Sequence, residues 1–250
     1  MHDLMHELAQ KVSLNECATI NGSNSRAIQP SVCHLSIITT AYEKDGHCSI
    51  PCDKFQNILE NIGSSEKLRT LMVFGRSSIH LLRFLHTLCI KSKSLRVARI
   101  YVTHNDVSTT SDLLNPYHLR YLEFIGVFSN TNIWTNVDLK KNIVLPQALT
   151  KFYHLQFFNV DIGSNISVPT SMNNLINLRS IVGHEKVHSE IACVGKLTSL
   201  QGLKLKVRSV DEFDIRQLRS MTKLLTLEIS QLENVNTKEQ ANGARLIDKE

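Results

Sequence analysis

Apolar residues recur along this chain in one spacing: a leading leucine, an apolar residue three positions later, and another two positions after that. The positions between them are mostly polar, so each hexamer predicts a short strand with one buried face. The spacing occurs seven times, with one copy shortened: Leu68/Leu71/Val73, Leu95/Ala98/Ile100, Leu119/Leu122/Phe124, Leu155/Phe158/Val160, Leu178/Ile181, Leu200/Leu203/Leu205 and Leu224/Leu227/Ile229. A single hexamer fits any buried strand, whereas seven in near-regular phase indicate a repeat.

The length of the repeat indicates the architecture. Neighbouring leading leucines are 22 to 27 residues apart, except for one step of 36 residues between Leu119 and Leu155. Leucine-rich repeats have periods of about 20–29 residues. One strand with its return segment cannot bury its leucines alone, but stacked neighbours line them into a continuous core. We therefore predict an α/β solenoid, an irregular leucine-rich-repeat horseshoe with a parallel sheet on its concave side.

Two features predict that the repeats are irregular. The long step suggests an insertion or a decayed repeat over Ser129–Lys141. The position eight residues after each leading leucine, where the repeat consensus favours Asn or Cys for hydrogen bonds to the backbone, holds Arg76, Thr103, Val127, Gly163, Lys186, Arg208 and Leu232.

The segments around the hexamers also carry patterns. Leu4, Met5, Leu8 and Val12 form one stripe of an amphipathic helix, and a helix this short needs its apolar face to pack on something. Ser13–Pro30 shows neither the helical nor the strand spacing of apolar residues, and we predict a linker there. A strand is predicted over Val32–Thr39, followed by a helix that Asp53 caps and that has Phe55, Ile58, Leu59 and Ile62 on one face. Ile79, Leu82, Leu85 and Leu88 also have helical spacing, and short apolar return segments are predicted after Pro146 and Pro169. The last predicted helix begins at a Thr237–Gln240 capping box and uses Ala241, Ala244 and Ile247.

Composition narrows the partners and the compartment. The 250 residues include 28 Lys and Arg against 23 Asp and Glu, a net charge of +5, with no run of like charges that would suggest a nucleic-acid arm. We therefore expect that the protein does not bind nucleic acid, although its mild positive charge is compatible with an acidic partner. The six cysteines lack the spacing of a disulfide framework, and no stretch of 18 apolar residues predicts a membrane span. The opening residues do not resemble a secretory signal, so we expect a cytoplasmic or nuclear protein.

Four short strings resemble one family. Met1-His2-Asp3-Leu4-Met5-His6-Glu7-Leu8-Ala9 resembles the MHD motif and the helix that close the nucleotide-binding module of plant intracellular immune receptors of the NB-ARC leucine-rich-repeat class. Cys33–Ile37, Leu68–Leu71 and Leu227–Val235, with its Leu232-Glu233-Asn234-Val235, resemble strings that follow it in that family. The resemblance implies a role in plant defence. It divides the chain into residues 1–30, a short helical remnant of the winged-helix region with a linker, and residues 31–250, a repeat domain that is incomplete at its C-terminus.

The same resemblance assigns a nucleotide-sensing role to His2, which would read the phosphate, with Asp3 supporting it. The P-loop and the rest of the nucleotide pocket would lie upstream of Met1. We therefore expect no cofactor in these 250 residues, and ADP or ATP only in a full-length relative. The implied partners are a pathogen effector, a guarded host protein, or the receptor's own nucleotide-binding module. The alternative is an orphan or truncated repeat adaptor that binds a protein without signalling.

An enzymatic hypothesis rests on His184-Glu185-Lys186-Val187-His188, a match to the H-E-x-x-H motif of zinc hydrolases. Its place between two predicted strands favours a solvated loop instead. His2 with His6, and Cys33-His34 with His47, Cys48 and Cys52, could also be assembled into metal sites, but their spacing matches no known finger. No glycine-rich phosphate loop or serine-nucleophile motif occurs. We expect a protein that is not an enzyme and holds no metal.

Binding through the sheet surface remains the favoured function. Because side chains alternate faces along a strand, the residues between the core positions should lie on the concave face. The candidate partner-binding residues on this face are Phe74, Arg99, Tyr101, Glu123, Asn159, Asp161, Lys204, Lys206, Arg208 and Glu228. Aromatic, basic and acidic groups together are typical of hot spots for a protein partner. Lys204, Lys206 and Arg208 would form a basic stripe.

Overall fold

A computed structural model of the protein describes residues 2–21, 29, 31–38, 65–74, 81, 85, 87–89, 91–102, 118–126, 143–161, 165–210 and 213–249. Eleven strands lie in these ranges: β1 Cys17–Asn21, β2 His34–Ile38, β3 Thr70–Phe74, β4 Val97–Val102, β5 Tyr121–Gly126, β6 Ile143–Val144, β7 Phe157–Asp161, β8 Ile166–Ser167, β9 Ser180–Gly183, β10 Gly202–Lys206 and β11 Thr226–Ser230. The α-helices described over their full length are α1 His2–Ser13, α2 Glu185–Ser189 and α3 Lys238–Gly243, and residues 81, 85, 87–89 and 91 are also helical.

The predicted hexamers all form strands, and the strands are parallel. Seven strands form one sheet in the order β1-β2-β3-β4-β5-β7-β9, while β10 pairs with β11 and β6 with β8. The apolar positions of the hexamers supply the core, where Leu71, Ala98 and Leu122 are fully buried. Phe124 of β5 meets Phe158 of β7 edge to face, with 6.3 Å between ring centroids. The prediction of a parallel sheet lined by recurring leucines is confirmed.

Backbone hydrogen bonds outside the strands show that the coils stack in register. In each coil the residue just before the strand donates its N–H to the carbonyl of the equivalent residue in the previous coil. Arg96 donates to Arg69 over 2.9 Å, and Gln201 donates to Arg179 over 2.8 Å. The last of these bonds joins the coils of β9 and β10, whose strands do not pair. The stack of coils therefore continues where the sheet is interrupted.

The interruption lies beside Gly183 and α2. A Cβ on Gly183 would lie 2.8 Å from the Val160 carbonyl oxygen, so only glycine allows β9 to end this close to β7. The His184 ring accepts the Lys186 N–H over 3.2 Å and caps α2, whose Val187 and His188 are buried. The prediction of a solvated loop over this segment was wrong, because burying Val187 against the next coil favours a helical turn.

The return segments follow the predicted pattern. The 3-10 helices Gln147–Lys151 and Thr170–Asn174 begin directly after prolines, which occupy the N-cap position with an extended ψ. Leu149 and Met172 are fully buried within them. Further 3-10 helices span Ser65–Lys67, Val194–Lys196, Ile215–Ser220, Leu232–Asn234 and Leu246–Asp248. The short paired strands β6 and β8, which precede the 3-10 helices Gln147–Lys151 and Thr170–Asn174, were not predicted.

Two polar side chains at or near the consensus position donate to the backbone of the previous coil. Arg208 donates from Nη2 to the Ser189 carbonyl over 2.8 Å. Asn234 donates from Nδ2 to the Val207 carbonyl over 2.9 Å, two residues beyond the consensus position. The repeats are irregular in sequence, but these side chains still satisfy backbone groups of the previous coil.

The ends of the described chain correct two predictions. The expected linker Ser13–Pro30 contains β1, which pairs with β2, so the sheet begins within it. Ile20 alone is buried in β1, which leaves the sequence pattern too weak to reveal a strand. At the other end the capping box forms, with the Thr237 hydroxyl accepting the Gln240 N–H over 3.1 Å, but α3 ends at Gly243 and Ile247 is 95% exposed.

The N-terminal helix is confirmed as a helix, while its apolar stripe is exposed rather than packed. Leu4 and Val12 are 75% and 76% exposed, and Met5 and Leu8 are also more than half exposed. The predicted helix after Asp53, the segment Ser129–Lys141, and Ile79 and Leu82 lie outside the described residues. Leu85 and Leu88 are helical and buried, as their spacing predicted.

Candidate functional site

The sheet has an open face, which carries the side chains between the buried positions and was predicted to be concave. Pairing in register places Met72, Arg99, Glu123 and Asn159 side by side on β3, β4, β5 and β7. Glu123 is the most enclosed of these polar residues, at 8% exposure. A buried carboxylate needs hydrogen-bonding or charged partners, and the neighbouring strands supply them.

Three side chains hold the Glu123 carboxylate. The Asn159 amide donates to Oε1 over 2.8 Å, and the Tyr121 hydroxyl donates to Oε2 over 3.2 Å. Arg99 Nε lies 3.1 Å from Oε2, an ion pair that is not aligned as a hydrogen bond. Both carboxylate oxygens are therefore engaged, so Glu123 organises the surface and does not offer a free base.

Aromatic rings surround this charged pair. The Arg99 guanidinium carbon lies 5.4 Å from the centre of the Phe74 ring and 5.9 Å from that of Tyr101, both within cation-π range. On the other side Tyr121 and Phe157 have ring centroids 6.3 Å apart. We call the set formed by Phe74, Arg99, Tyr101, Tyr121, Glu123, Phe157 and Asn159 the open-face cluster.

Two electrostatic features mark the centre of the cluster. The pKa of Tyr121 is raised, mainly by burial and then by the charge and hydrogen bond of Glu123, against the opposing charge of Arg99. The Tyr121 hydroxyl therefore stays protonated and keeps donating at neutral pH. The Oδ1 atom of Asn159 is buried without a hydrogen-bond partner, an uncommon state for an amide oxygen.

The remaining candidate residues lie outside this cluster. Asp161 is exposed at the end of β7. Lys204 and Glu228 face each other on β10 and β11, with 3.0 Å between Nζ and Oε2, and both are well exposed. Lys206 is half-buried on β10, next to Ser230 of β11. An exposed pair of this kind contributes little to stability.

Arg208 does not continue a basic stripe across the sheet. Its guanidinium pairs with Glu190 over 3.3 Å and stacks over Phe213 with 4.3 Å to the ring centre. Together with the bond to Ser189 these contacts tie the segment after β10 to the end of α2. Its half-exposed side chain is a structural link between two coils, and the predicted stripe consists of Lys204 and Lys206.

Two members of the open-face cluster were not among the partner-binding residues predicted from the sequence. Tyr121 and Phe157 stand two residues after leading leucines in neighbouring coils, at the start of β5 and β7. Side chains alternate faces along a strand, which also assigns this position to the open face. The two aromatic residues at equivalent places in adjacent repeats could therefore have been predicted as members of the binding surface. Phe157 is 41% exposed, which makes it one of the most accessible rings of the sheet.

The candidate metal residues have other contacts. The His184 ring caps α2, and His188 is buried with 6% exposure. His34 Nδ1 lies 2.9 Å from the Thr70 hydroxyl, and Cys33 Sγ donates to the Ser31 carbonyl. Within the described ranges no group of three or more His, Cys, Asp or Glu residues could hold a metal ion.

The cysteines of the described chain are free thiols: Cys17, Cys33, Cys89 and Cys193. Burial raises the pKa of Cys89 to about 12, so this thiol is inert at neutral pH. His2 and Asp3 lie in the first turn of α1. His47, Cys48 and Cys52 lie outside the described residues. No helix in the part of the chain that the structure describes has the length and hydropathy needed to cross a membrane.

Comparison with known proteins gives distant similarities. No protein-family model matches the sequence, and no curated protein matches it significantly. Among solved structures, an internalin (inlF) from Listeria monocytogenes str. 4b F2365 is 12% identical at a TM-score of 0.38, with 86% of this chain and 54% of that chain covered. The plant peptide hormone receptor RGFR1, in complex with RGF2, is 12% identical at a TM-score of 0.38, with 86% and 34% covered. The chain thus spans about half or less of the length of these proteins.

Proposed function

We propose that the chain is a protein-recognition domain of the leucine-rich-repeat type and that the open-face cluster is the centre of its binding surface. The observation that carries this proposal is the arrangement of Arg99 close to the rings of Phe74 and Tyr101 and paired with the Glu123 carboxylate on the neighbouring strand. Arginine and aromatic residues dominate the binding energy of protein interfaces. Side chains already held in place lose less entropy on binding.

The chemistry of the cluster favours a protein ligand over a reaction. Glu123 has partners on both oxygens, and one of these partners is the hydroxyl of Tyr121, so the two groups are engaged with each other. The half-exposed rings and the guanidinium instead offer apolar area next to a directional donor, which is the mixture found at the centre of protein interfaces.

A photocrosslinking experiment tests this proposal. p-Benzoylphenylalanine replaces Tyr101 in the open-face cluster or, as a control outside both the cluster and the rest of the sheet, Ile247, which is 95% exposed after α3. We expect a defined protein adduct from position 101 that disappears when Arg99→Ala is added, and no adduct from position 247. Equal adducts at both positions, or an adduct that survives Arg99→Ala, would show that the cluster is not the binding surface.

We infer further that the chain is the front of the repeat region of a plant intracellular immune receptor of the NB-ARC class. Support comes from the string Met1-His2-Asp3, from the helix α1 that begins at His2, and from the short segment 14–16 that separates this helix from the first strand β1 in the sequence. In this proposal His2 and Asp3 belong to the nucleotide switch, and ADP or ATP binds only in the full-length receptor. The partner of the open face is a pathogen effector, a guarded host protein or the receptor's own nucleotide-binding module, in the cytoplasm or nucleus.

Sequencing the transcript upstream of Met1 tests the family assignment. An open reading frame that continues upstream and contains a P-loop followed by the rest of a nucleotide-binding module is the expected result. A stop codon in frame close to Met1, with no such module in any transcript, would contradict the assignment. The second result would leave an orphan repeat adaptor, whose binding surface the crosslinking experiment tests independently.

A further inference from the structure

A row of arginines marks one edge of the sheet, at the ends where the strands begin. The residue directly before each strand is Arg69 for β3, Arg96 for β4, Arg120 for β5 and Arg179 for β9, and we call these four the arginine row. Gln156 takes the same position before β7. Backbone N–H to carbonyl bonds of 2.8 to 2.9 Å run from coil to coil through these residues, so their positions are fixed relative to one another.

The row carries unbalanced positive charge. All four arginines are exposed, and none forms an ion pair with a described residue. Exposed Lys67 and Lys93 lie beside the row. Among the described residues from two before to one after the leading leucine in these five coils there are six cations and one acid, Glu66. An excess of five positive charges equals the net charge of the whole chain, so this edge is a concentrated basic surface.

The spacing of the row suits an extended chain that crosses the coils. Neighbouring strands lie about 4.8 Å apart, so the row from Arg69 to Arg179 is roughly 19 Å long, the length of about six residues of extended peptide. Guanidinium groups bind carboxylates with two parallel hydrogen bonds. An extended segment with acidic residues on one face would meet several of these groups in turn.

Exposed apolar side chains of two kinds lie beside the row. Ile176 and Tyr153 are 55% and 57% exposed, each two residues before a leading leucine, and Leu225 is 75% exposed at the row position of β11. The exposed rings of His118 and His154 also stack beside the row, with 6.5 Å between their centroids. Aliphatic side chains suit the apolar residues that alternate with acids in a peptide, whereas single-stranded bases would stack on the rings alone. The aliphatic groups favour a protein segment, and an oligonucleotide probe tests the alternative.

We propose that the arginine row is a second binding surface, separate from the open-face cluster, and that it docks an extended acidic segment of a partner protein. The proposal goes beyond the recognition function assigned to the open face and does not depend on it. It requires guanidinium groups at successive coils, because a single exposed charge pair would contribute too little affinity to hold a partner.

Fluorescence anisotropy with a defined probe tests the proposal. The probe is a fluorescein-labelled twelve-residue peptide of alternating glutamate and isoleucine, and its control is the same peptide with glutamine in place of glutamate. The protein variant is Arg96→Gln/Arg120→Gln, and the matched control is Lys206→Gln/Lys238→Gln, which removes two charges away from the row. Circular dichroism confirms that each variant is folded.

We expect the acidic probe to bind, the glutamine probe not to bind, and added salt to weaken the complex. Arg96→Gln/Arg120→Gln should weaken binding at least fivefold, whereas Lys206→Gln/Lys238→Gln changes it less than twofold. The probe experiment does not use position 101 or its captured partner, which separates a failure here from a failure of the open-face proposal. Equal weakening by the two double variants would overturn the proposal, because net charge alone would then explain binding.

A conservative variant and a second probe complete the test. Arg96→Lys/Arg120→Lys keeps the charge and removes the paired donors, so it should bind more weakly than wild type and more tightly than the glutamine variant. A fluorescein-labelled oligothymidylate of twelve nucleotides is the nucleic-acid probe. Tighter binding of this oligonucleotide than of the acidic peptide, lost in Arg96→Gln/Arg120→Gln, would contradict the assignment to a protein segment.

Discussion

Protonation of His188 should destabilise the folded protein in mild acid. The ring is 6% exposed on α2, beneath the interruption between β9 and β10, and its Nδ1 has no hydrogen-bond partner. Burial, and then the charge of Lys204, lowers the pKa of His188 from 6.5 to about 4, while a hydrogen bond to the Ile181 backbone and the charges of Glu185 and Glu228 partly oppose this shift. The folded state therefore holds the ring neutral where the unfolded chain would protonate it.

The sign and size of the effect follow from this difference. Above pH 6.5 the ring is neutral in both states and costs nothing; as the pH falls from 6.5 towards 4, only the unfolded state gains the proton, so stability is lost. A tenfold difference in proton affinity corresponds to about 1.4 kcal/mol, so the full loss approaches about 3 kcal/mol below pH 4. Between about pH 7 and pH 4.5 the expected loss is roughly 2 kcal/mol.

Urea unfolding followed by circular dichroism at these two pH values measures the loss. His188→Gln removes the titrating group, so its loss of unfolding free energy over this range should be roughly 2 kcal/mol smaller than that of wild type. His154→Gln is the matched control, because His154 is exposed, and it should lose as much as wild type. If His188→Gln and wild type lose equal free energy, His188 is not held neutral in the fold and its described burial is wrong.

Other substitutions test the core, a close contact and a cap, each by urea unfolding at pH 7. Phe158→Ala should cost about 3–5 kcal/mol because the ring is 1% exposed, whereas Leu225→Ala, at 75% exposure, should stay within about 0.5 kcal/mol; equal effects would contradict the assignment of inside and outside. Gly195→Ala should cost about 1–3 kcal/mol, because the new Cβ would lie 2.5 Å from the Gln217 carbonyl oxygen, and an unchanged stability would refute that contact. Thr237→Ala should cost about 1 kcal/mol through loss of the capping box, while no loss would mean that α3 does not contribute to the folded state.

Sequence periodicity predicted the strands because stacking imposes the same burial on every coil. Leu122 and Phe158 occupy equivalent places and pair in register, so their spacing from the leading leucine is under one physical constraint. The strand β1 was not predicted, because Ile20 is its only buried residue and the sequence shows no alternation there. The helix α2 was not predicted, because five residues are too few to show a helical spacing of apolar positions. Its formation depends on burial against the following coil.

The surface was predicted less completely than the core. Alternation along each strand correctly placed Arg99 and Glu123 on one face, but it could not show that Tyr121 and Asn159 would converge on the same carboxylate from neighbouring strands. Arg208 has the sequence signature of a surface cation, yet its contacts with Ser189, Glu190 and Phe213 depend on where α2 packs. Such contacts are set by tertiary geometry, which local spacing does not encode.

An affinity comparison with the protein captured at position 101 is the decisive measurement for recognition by the open-face cluster. Calorimetric titration of that partner into wild type, Tyr101→Ala and Ile247→Ala should show a loss of at least about tenfold, or ~1.4 kcal/mol, for Tyr101→Ala alone. Ile247→Ala should bind within about twofold of wild type, a difference of less than ~0.5 kcal/mol. Unchanged affinity of Tyr101→Ala, or an equal loss for Ile247→Ala, would place the binding surface elsewhere on the molecule.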